Sequence, residues 1–413
     1  MKILKAIIVL FAFYTPSVLA LSNECGQYTS IEGTGYLVSP SGKDDTSNIK
    51  CAFQSAKSQG LLSVTLTEGN FKVSSFEVTA YEGKFEGSNQ KKSRIIISNN
   101  SVTCGDEYDD ASGVLTFFGG NVTVRKMTVD IDRPCARGTS YIALKFTQQS
   151  CGSRTHFATV DRVTVIGGGA DTDDKPIGVS MAGQPKCVAQ SKGSLGTFKL
   201  NRSSVEGFVL GADISLLGGG QVDINFNEFS DVSEAVRMRN ANQNATVTGN
   251  TFNYYYDGVL AFSNSKDAPG TSRLVIHNNT FNQAPSGGTY AFGVRLFAVE
   301  KRTSISTVVS NNTFNLTDRS IEDEGQFGVA LFDIDNGVIV ANQFEGTATV
   351  AVWLDAFEFE NKRAANNTII GNSFKQGNSF EKIDVFLGEK TETTIVGKQN
   401  AFTRDYGTNN VAL

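Results

Sequence analysis

Three groups of ionisable residues have the types and spacings that chemistry needs. The stretch LFDIDN sets Asp333 and Asp335 two residues apart. On a strand such residues share a face, roughly 6.5–7 Å from one another. Two carboxylates so placed, with Asp355 from the next repeat, leave room for a water between them, as an inverting glycosidase requires. The same oxygens suit calcium, a hard cation that takes several carboxylates. The second group is basic. Arg237 and Arg239 stand in AVRMRN, Arg295 in GVRLF and Lys145 in IALKF. A guanidinium pair grips a sugar carboxylate by bidentate hydrogen bonds. Arg239, Lys145 and the acidic Glu300 are the expected substrate-binding groups around Arg237 and Arg295. The third group is GGGADTDDKPIG, where Asp171, Asp173 and Asp174 follow three glycines. This acidic loop is the expected calcium site, and calcium is the one cofactor the sequence suggests. Each group also has a plainer reading as solvated charge. Only His156 and His277 are present, which leaves little for a Ser-His-Asp triad.

What would position these residues is a repeat. The pattern Asn-x-Phe recurs with its asparagine at 227, 250, 279, 312, 342, 372 and 400, in steps of 23, 29, 33, 30, 30 and 28 residues. Asn201 stands 26 residues before the first and reads as a degenerate member. A period of this size marks a solenoid. Short β-branched runs such as TVVSNN and VIVANQ precede each asparagine, and second strands such as FGVRLFAVE and FGVALFDID follow. Each unit therefore reads as strand, turn, strand and loop, with no room for a helix. Stacked coils would lie about 4.8 Å apart. The asparagine suits a turn, since it tolerates left-handed geometry and bonds neighbouring backbone. The phenylalanines would stack inside, each contributing roughly 1.5–3 kcal/mol. The motif is thus architecture rather than chemistry.

Aligning Gly258, Gly293 and Gly328 stacks Arg237, Leu260, Arg295, Ala330 and Val352 in one column. Three residues on, Asn240, Ser263, Ala298, Asp333 and Asp355 form another, with Glu300 and Asp335 two beyond. A step of three reverses the face of a regular strand, so both columns point outward only if the strand kinks between them.

The N-terminal part carries a resemblance. DDTSNIKCAFQSAKSQGLLSVTLTEGNFKV (44–73) reads as a helix from about Asn48 to Gln59, capped by Thr46 or Ser47, then a strand and a turn. Ile49, Ala52, Phe53 and Ala56 form its apolar face. With YEGKFEGSNQKKSRIII (81–97), the segment resembles the first coils of pectate-lyase-like proteins of the pectin-lyase fold. The resemblance implies an all-β, single-stranded right-handed parallel β-helix with a short N-terminal capping α-helix, one domain over residues 21–413. It also implies a polysaccharide lying along one exposed parallel sheet, cut by a lyase or a hydrolase of acidic glycans. Pectate lyases use an arginine as base, which points to Arg237 and Arg295. The polygalacturonase pattern matches only in part: ADTDD is present, but the Gly-His-Gly and Arg-x-Lys elements are not. The alternative from another class is therefore a non-catalytic glycan-binding, adhesin or surface structural β-helix.

Residues 1–20, MKILKAIIVLFAFYTPSVLA, read as a secretory signal peptide, and no later stretch is apolar enough to insert in a membrane. A secreted chain is the expectation. Its 413 residues carry a net charge of −5, against a nucleic-acid partner. Six cysteines suit an oxidising compartment, with Cys25–Cys51, Cys104–Cys135 and Cys151–Cys187 as the expected neighbour pairs.

Overall fold

The computed structural model of the chain describes residues 25–97, 112–131, 140–148, 156–169, 176–182, 196–215, 220–239, 244–263, 271–284, 290–298, 304–316, 325–346, 349–356, 363–376, 383–397 and 403–413. The expected signal peptide, the calcium candidates Asp171, Asp173 and Asp174, Glu300, and Cys104, Cys135, Cys151 and Cys187 lie outside them. Among the described strands, Ala364–Ala365 pairs separately with Thr391–Glu392, and the other 33 join in one large sheet. All its pairings are parallel except the hairpin of Thr29–Glu32 with Gly35–Val38. This is the expected parallel β-helix.

The Asn-x-Phe motif builds it. Asn279 Oδ1 accepts both the backbone N–H and the side-chain amide of Asn250, each at 2.9 Å. Asn312 does the same for Asn279, and Asn342 for Asn312. The remaining amide hydrogen of each goes to a carbonyl of the preceding coil, as from Asn279 to Val247 O at 2.8 Å. Every donor and acceptor is used, so six amides sit buried at Asn227, Asn250, Asn279, Asn312, Asn342 and Asn372 without an unmet hydrogen bond. The left-handed residue of the turn is the one before each ladder asparagine: Phe226, Gly249, Asn278, Asn311, Ala341 and Gly371 all have φ between 53° and 67°. Asn201 is not an earlier rung. Ser203 holds that place, its N–H donating to Asn227 Oδ1 at 2.9 Å. Two residues after each asparagine the rings of Phe229, Phe252, Phe281, Phe314, Phe344 and Phe374 stack inside at 4.7–5.2 Å.

The helix spans Thr46–Gln59, with Asp45 at its N-cap and Gly60, at φ 68°, closing it. It starts two residues before the predicted Asn48, because Asp44 Oδ1 accepts the Thr46 N–H. The Thr46 hydroxyl accepts the Ser74 N–H instead of capping. Ile49, Ala52, Phe53 and Ala56 are the buried face, as expected. Phe53 lies 4.9 Å from Tyr81 and 5.0 Å from Phe85, so the helix closes the first coil. The Cys25–Cys51 disulfide ties the preceding segment to it.

Candidate functional site

One face of the coil, here the front sheet, stacks Tyr141–Thr147, Ile177–Ala182, Ser204–Ser215, Glu228–Arg239, Thr251–Ser263, Tyr290–Ala298, Gly325–Phe332, Val350–Asp355 and Ile383–Leu387 in parallel. Val236, Val259, Val294, Val329 and Val352 form an inward column. Ala235, Gly258, Gly293 and Gly328 just before them are small: a Cβ on Gly293 would stand 2.5 Å from the Phe314 ring. Two successive inward residues kink the strand, so the residues on both sides of them face out.

Three outward columns result. The first runs Leu210, Glu234, Asp257, Phe292 and Phe327. The second runs Lys145, Ser180, Asp213, Arg237, Leu260, Arg295, Ala330 and Trp353. The third runs Ser215, Arg239, Phe262, Phe297, Phe332 and Asp355.

The three columns bring six charges together: Glu234 and Asp257 from the first, Asp213, Arg237 and Arg295 from the second, and Arg239 from the third. Asp213 is buried and accepts from Arg237 Nε at 3.0 Å and from Arg239 Nη2 at 2.8 Å. Arg237 Nη1 lies 3.8 Å from Glu234 Oε2. Arg295 Nη2 donates to Asp257 Oδ2 at 2.5 Å, and its guanidinium sits 4.7 Å above the Phe292 ring. Burial pushes the Glu234 carboxyl up to about 7, and the neighbouring charges of Asp257 and Asp213 add to the rise against Arg237 and Arg295. Burial also raises Asp257, with Arg295 opposing it. Glu234 Oε2 and Asp257 Oδ1 have no hydrogen-bond partner in the protein. The Glu234 side chain is 22% exposed, with Oε2 itself buried. Beside this cluster lies a pocket of about 530 Å³, lined by Tyr290, Phe292, Arg295, Phe297, Phe332, Trp353, Asp355 and Ala356.

The arginine candidates stand where the sequence reading placed them. Arg237 and Arg295 share one column two coils apart with Leu260 between, and Lys145 is in the same column three coils before Arg237. Arg239 stands in the next column. All three arginines are ion-paired.

The aspartate candidates come apart. Asp333 and Asp335 are in the turn after Gly325–Phe332, not on a strand. Asp333 has φ 58°, a left-handed corner that breaks the two-residue periodicity. The exposed Asp335 accepts the Ala365 N–H at 2.9 Å, a bond between turns. Asp355 pairs with Phe332, so it does not stack on Asp333, and Trp353 rather than Val352 follows Ala330 in the arginine column. The expected register slipped by one because Ala351 stands where the aligned coils have glycine. Asp355 belongs instead to the pocket that Arg295 lines.

His277 is structural, its Nδ1 3.0 Å from the Ser310 hydroxyl. Among the described residues, no group of three histidines, cysteines, aspartates or glutamates could hold a metal ion. No helix among them is long and apolar enough to cross a membrane.

Asp213, Glu234 and Asp257 were missed by the sequence reading. A signal existed: Glu234 and Asp257 each immediately precede the small residue by which the repeats align, so one column holds two carboxylates on adjacent coils.

No protein-family model matches the chain, and no curated protein matches it in sequence. Solved structures do. The chain is similar to the Dettilon tailspike protein at 12% identity, covering 90% of this chain and 68% of that one, with a TM-score of 0.63. It is similar to the A-module of Azotobacter vinelandii mannuronan C-5 epimerase AlgE4 at 16% identity, covering 90% and 91%, with a TM-score of 0.52. It is also similar to the DFA-IIIase of Arthrobacter chlorophenolicus A6 without its lid, at 12% identity over 89% and 95%, with a TM-score of 0.54. At these identities the likeness shows the fold: a right-handed parallel β-helix.

Proposed function

We propose that this protein binds a polysaccharide along the outward face of the front sheet and hydrolyses it, with Glu234 as general acid. One observation carries the reading: Glu234 and Asp257 stack in one column on adjacent coils, each facing an arginine, beside an aromatic pocket. Adjacent parallel strands are about 4.8 Å apart. At that spacing the Asp257 charge bears on Glu234 and adds to the rise of its carboxyl. Glu234 keeps its proton near neutrality and delivers it to the glycosidic oxygen. Asp257, 1% exposed, stays beneath the surface and fixes Arg295, while a water adds its hydroxide to the anomeric carbon as the glycosidic bond breaks and returns its proton to Glu234. Arg237, fixed by Asp213, positions Glu234. A neighbour named for acting on mannuronan supports a glycan as ligand class.

Hydrolysis fits better than elimination. A lyase would need a base, and Arg237 and Arg295 are each already ion-paired with a carboxylate. Asp171, Asp173 and Asp174 remain our proposed calcium ligands, outside this chemistry. Removal of residues 1–20 and secretion of the remainder complete the reading. A binding-only protein is the second reading, favoured by the aromatic pocket, which can hold a sugar without any titrating group.

The test is a panel of acidic and neutral glycans, with and without calcium, scored for new reducing ends and for the ultraviolet absorbance of unsaturated sugars. Reducing ends without absorbance, lost in Glu234→Gln, are the expected result. Absorbance would overturn hydrolysis in favour of elimination. Binding without either signal would select the second reading.

A further inference from the structure

The pocket beside the charged cluster has more chemistry than a generic sugar platform. Three adjacent coils line it: Arg295 and Asp355 stand in neighbouring columns two coils apart, with the rings of Phe297, Phe332 and Trp353 among the lining residues. Arg295 and Trp353 stand two coils apart in their column, about 9.6 Å at the strand spacing. The volume of about 530 Å³ falls in the range of small-ligand sites. The guanidinium is partly exposed at 31%, and one of its nitrogens already serves Asp257. Asp355 uses one oxygen on the Ala356 N–H at 2.8 Å and keeps the other.

We propose that this pocket is a subsite for a 2-acetamido sugar, held by Arg295 and Asp355 around its N-acetyl group. The inference rests on the polysaccharide reading above. An N-acetyl group carries a carbonyl acceptor, an N–H donor and a methyl. The carbonyl takes a hydrogen bond from Arg295. The N–H donates to the free oxygen of Asp355. The methyl packs on the rings of the floor, which have no polar group to offer a hydroxyl there except the indole N–H. A guanidinium facing a carboxylate across an apolar floor matches an amide dipole. It matches a uronate poorly, because Asp355 repels the sugar carboxylate and Asp257 already balances the charge of Arg295. It matches a plain hexose poorly as well, since a hydroxyl in place of the acetamide leaves the rings without an apolar partner.

Trp353 is the only tryptophan of the chain, so its fluorescence reports this pocket directly. The experiment titrates the full Glu234→Gln chain with N-acetylglucosamine, glucose and glucuronate, following Trp353 emission. The expected result is a saturable change with N-acetylglucosamine, at a midpoint at least about tenfold below those of the other two sugars. Asp355→Leu should raise that midpoint by about tenfold or more with the melting temperature kept. Glucuronate binding as well as or better than N-acetylglucosamine would overturn the proposal, as would equal midpoints for all three or no response from any. The outcome is separable from turnover. Acetamido binding with no glycan cut by the parent chain keeps the subsite and rejects hydrolysis. Cleavage without acetamido preference does the reverse.

Discussion

Asn279→Ala tests the amide ladder most sharply. Asn279 is 2% exposed, in the middle of the six described rungs. Its Oδ1 accepts two hydrogens from Asn250, one from backbone and one from side chain, both at 2.9 Å. Its Nδ2 serves Val247 O and Asn312 Oδ1 at 2.8 and 3.0 Å. Alanine removes the acceptor and leaves two buried donors of Asn250 with nothing to bond. Each orphaned buried donor costs about 1–3 kcal/mol, so a loss of about 4 kcal/mol is expected. Asn282→Ala is the control. Asn282, half-buried on the strand Thr280–Gln283, donates to Asn253 at 2.8 Å and accepts from Asn315 at 2.7 Å where water can replace both partners, and its loss should stay below about 1 kcal/mol. Guanidinium unfolding followed by circular dichroism measures both. Because coils interact mainly with their neighbours, the central lesion should also broaden or split the transition. A loss below about 1 kcal/mol for Asn279→Ala, with an unbroadened transition, would refute the view that the ladder holds coil to coil.

The Glu234 carboxyl is raised from an ordinary 4.5 to about 7, so its contribution to stability is present below the unfolded value and lost as pH rises through about 7. Glu234→Gln should therefore raise the melting temperature at pH 8 relative to the parent and change it little at pH 4, while turnover of the parent declines as pH rises past about 7. Gly293→Val should cost about 1–3 kcal/mol in chemical denaturation, because its side chain enters space held by the Phe314 ring. Cys25→Ser should cost about 2–4 kcal/mol, since the bridge closes a separation of 26 residues; the parent under reductant should show at least that drop in melting temperature.

The arginine column was legible because glycines mark the repeat at 258, 293 and 328, and Arg237 and Arg295 stand at fixed offsets from small residues in that register. The aspartates were misplaced where the marks fail. The strand Val350–Asp355 has Ala351 in place of glycine, and the one-residue slip moved Asp355 onto the wrong neighbour. Asp333 and Asp335 alternate in sequence as strand residues do, yet the chain turns left-handed at Asp333. Asp213 escaped notice because it becomes part of the site only through Arg237 and Arg239 of the next coil.

The sequence by itself determined the solenoid. A motif repeated every thirty residues or so makes the same local choice in each coil, and stacking then buries like on like. The capping helix and its apolar face followed from local pattern in the same way. Tertiary structure decided which charges meet. Neighbours in the front sheet are 23 to 35 residues apart in sequence, as Glu234 is from Asp257 and Leu260 from Arg295, and their meeting depends on a register that one residue can shift. Burial then set the chemistry: the same glutamate type that is ionised on an exposed strand holds its proton near neutrality when coils close around it.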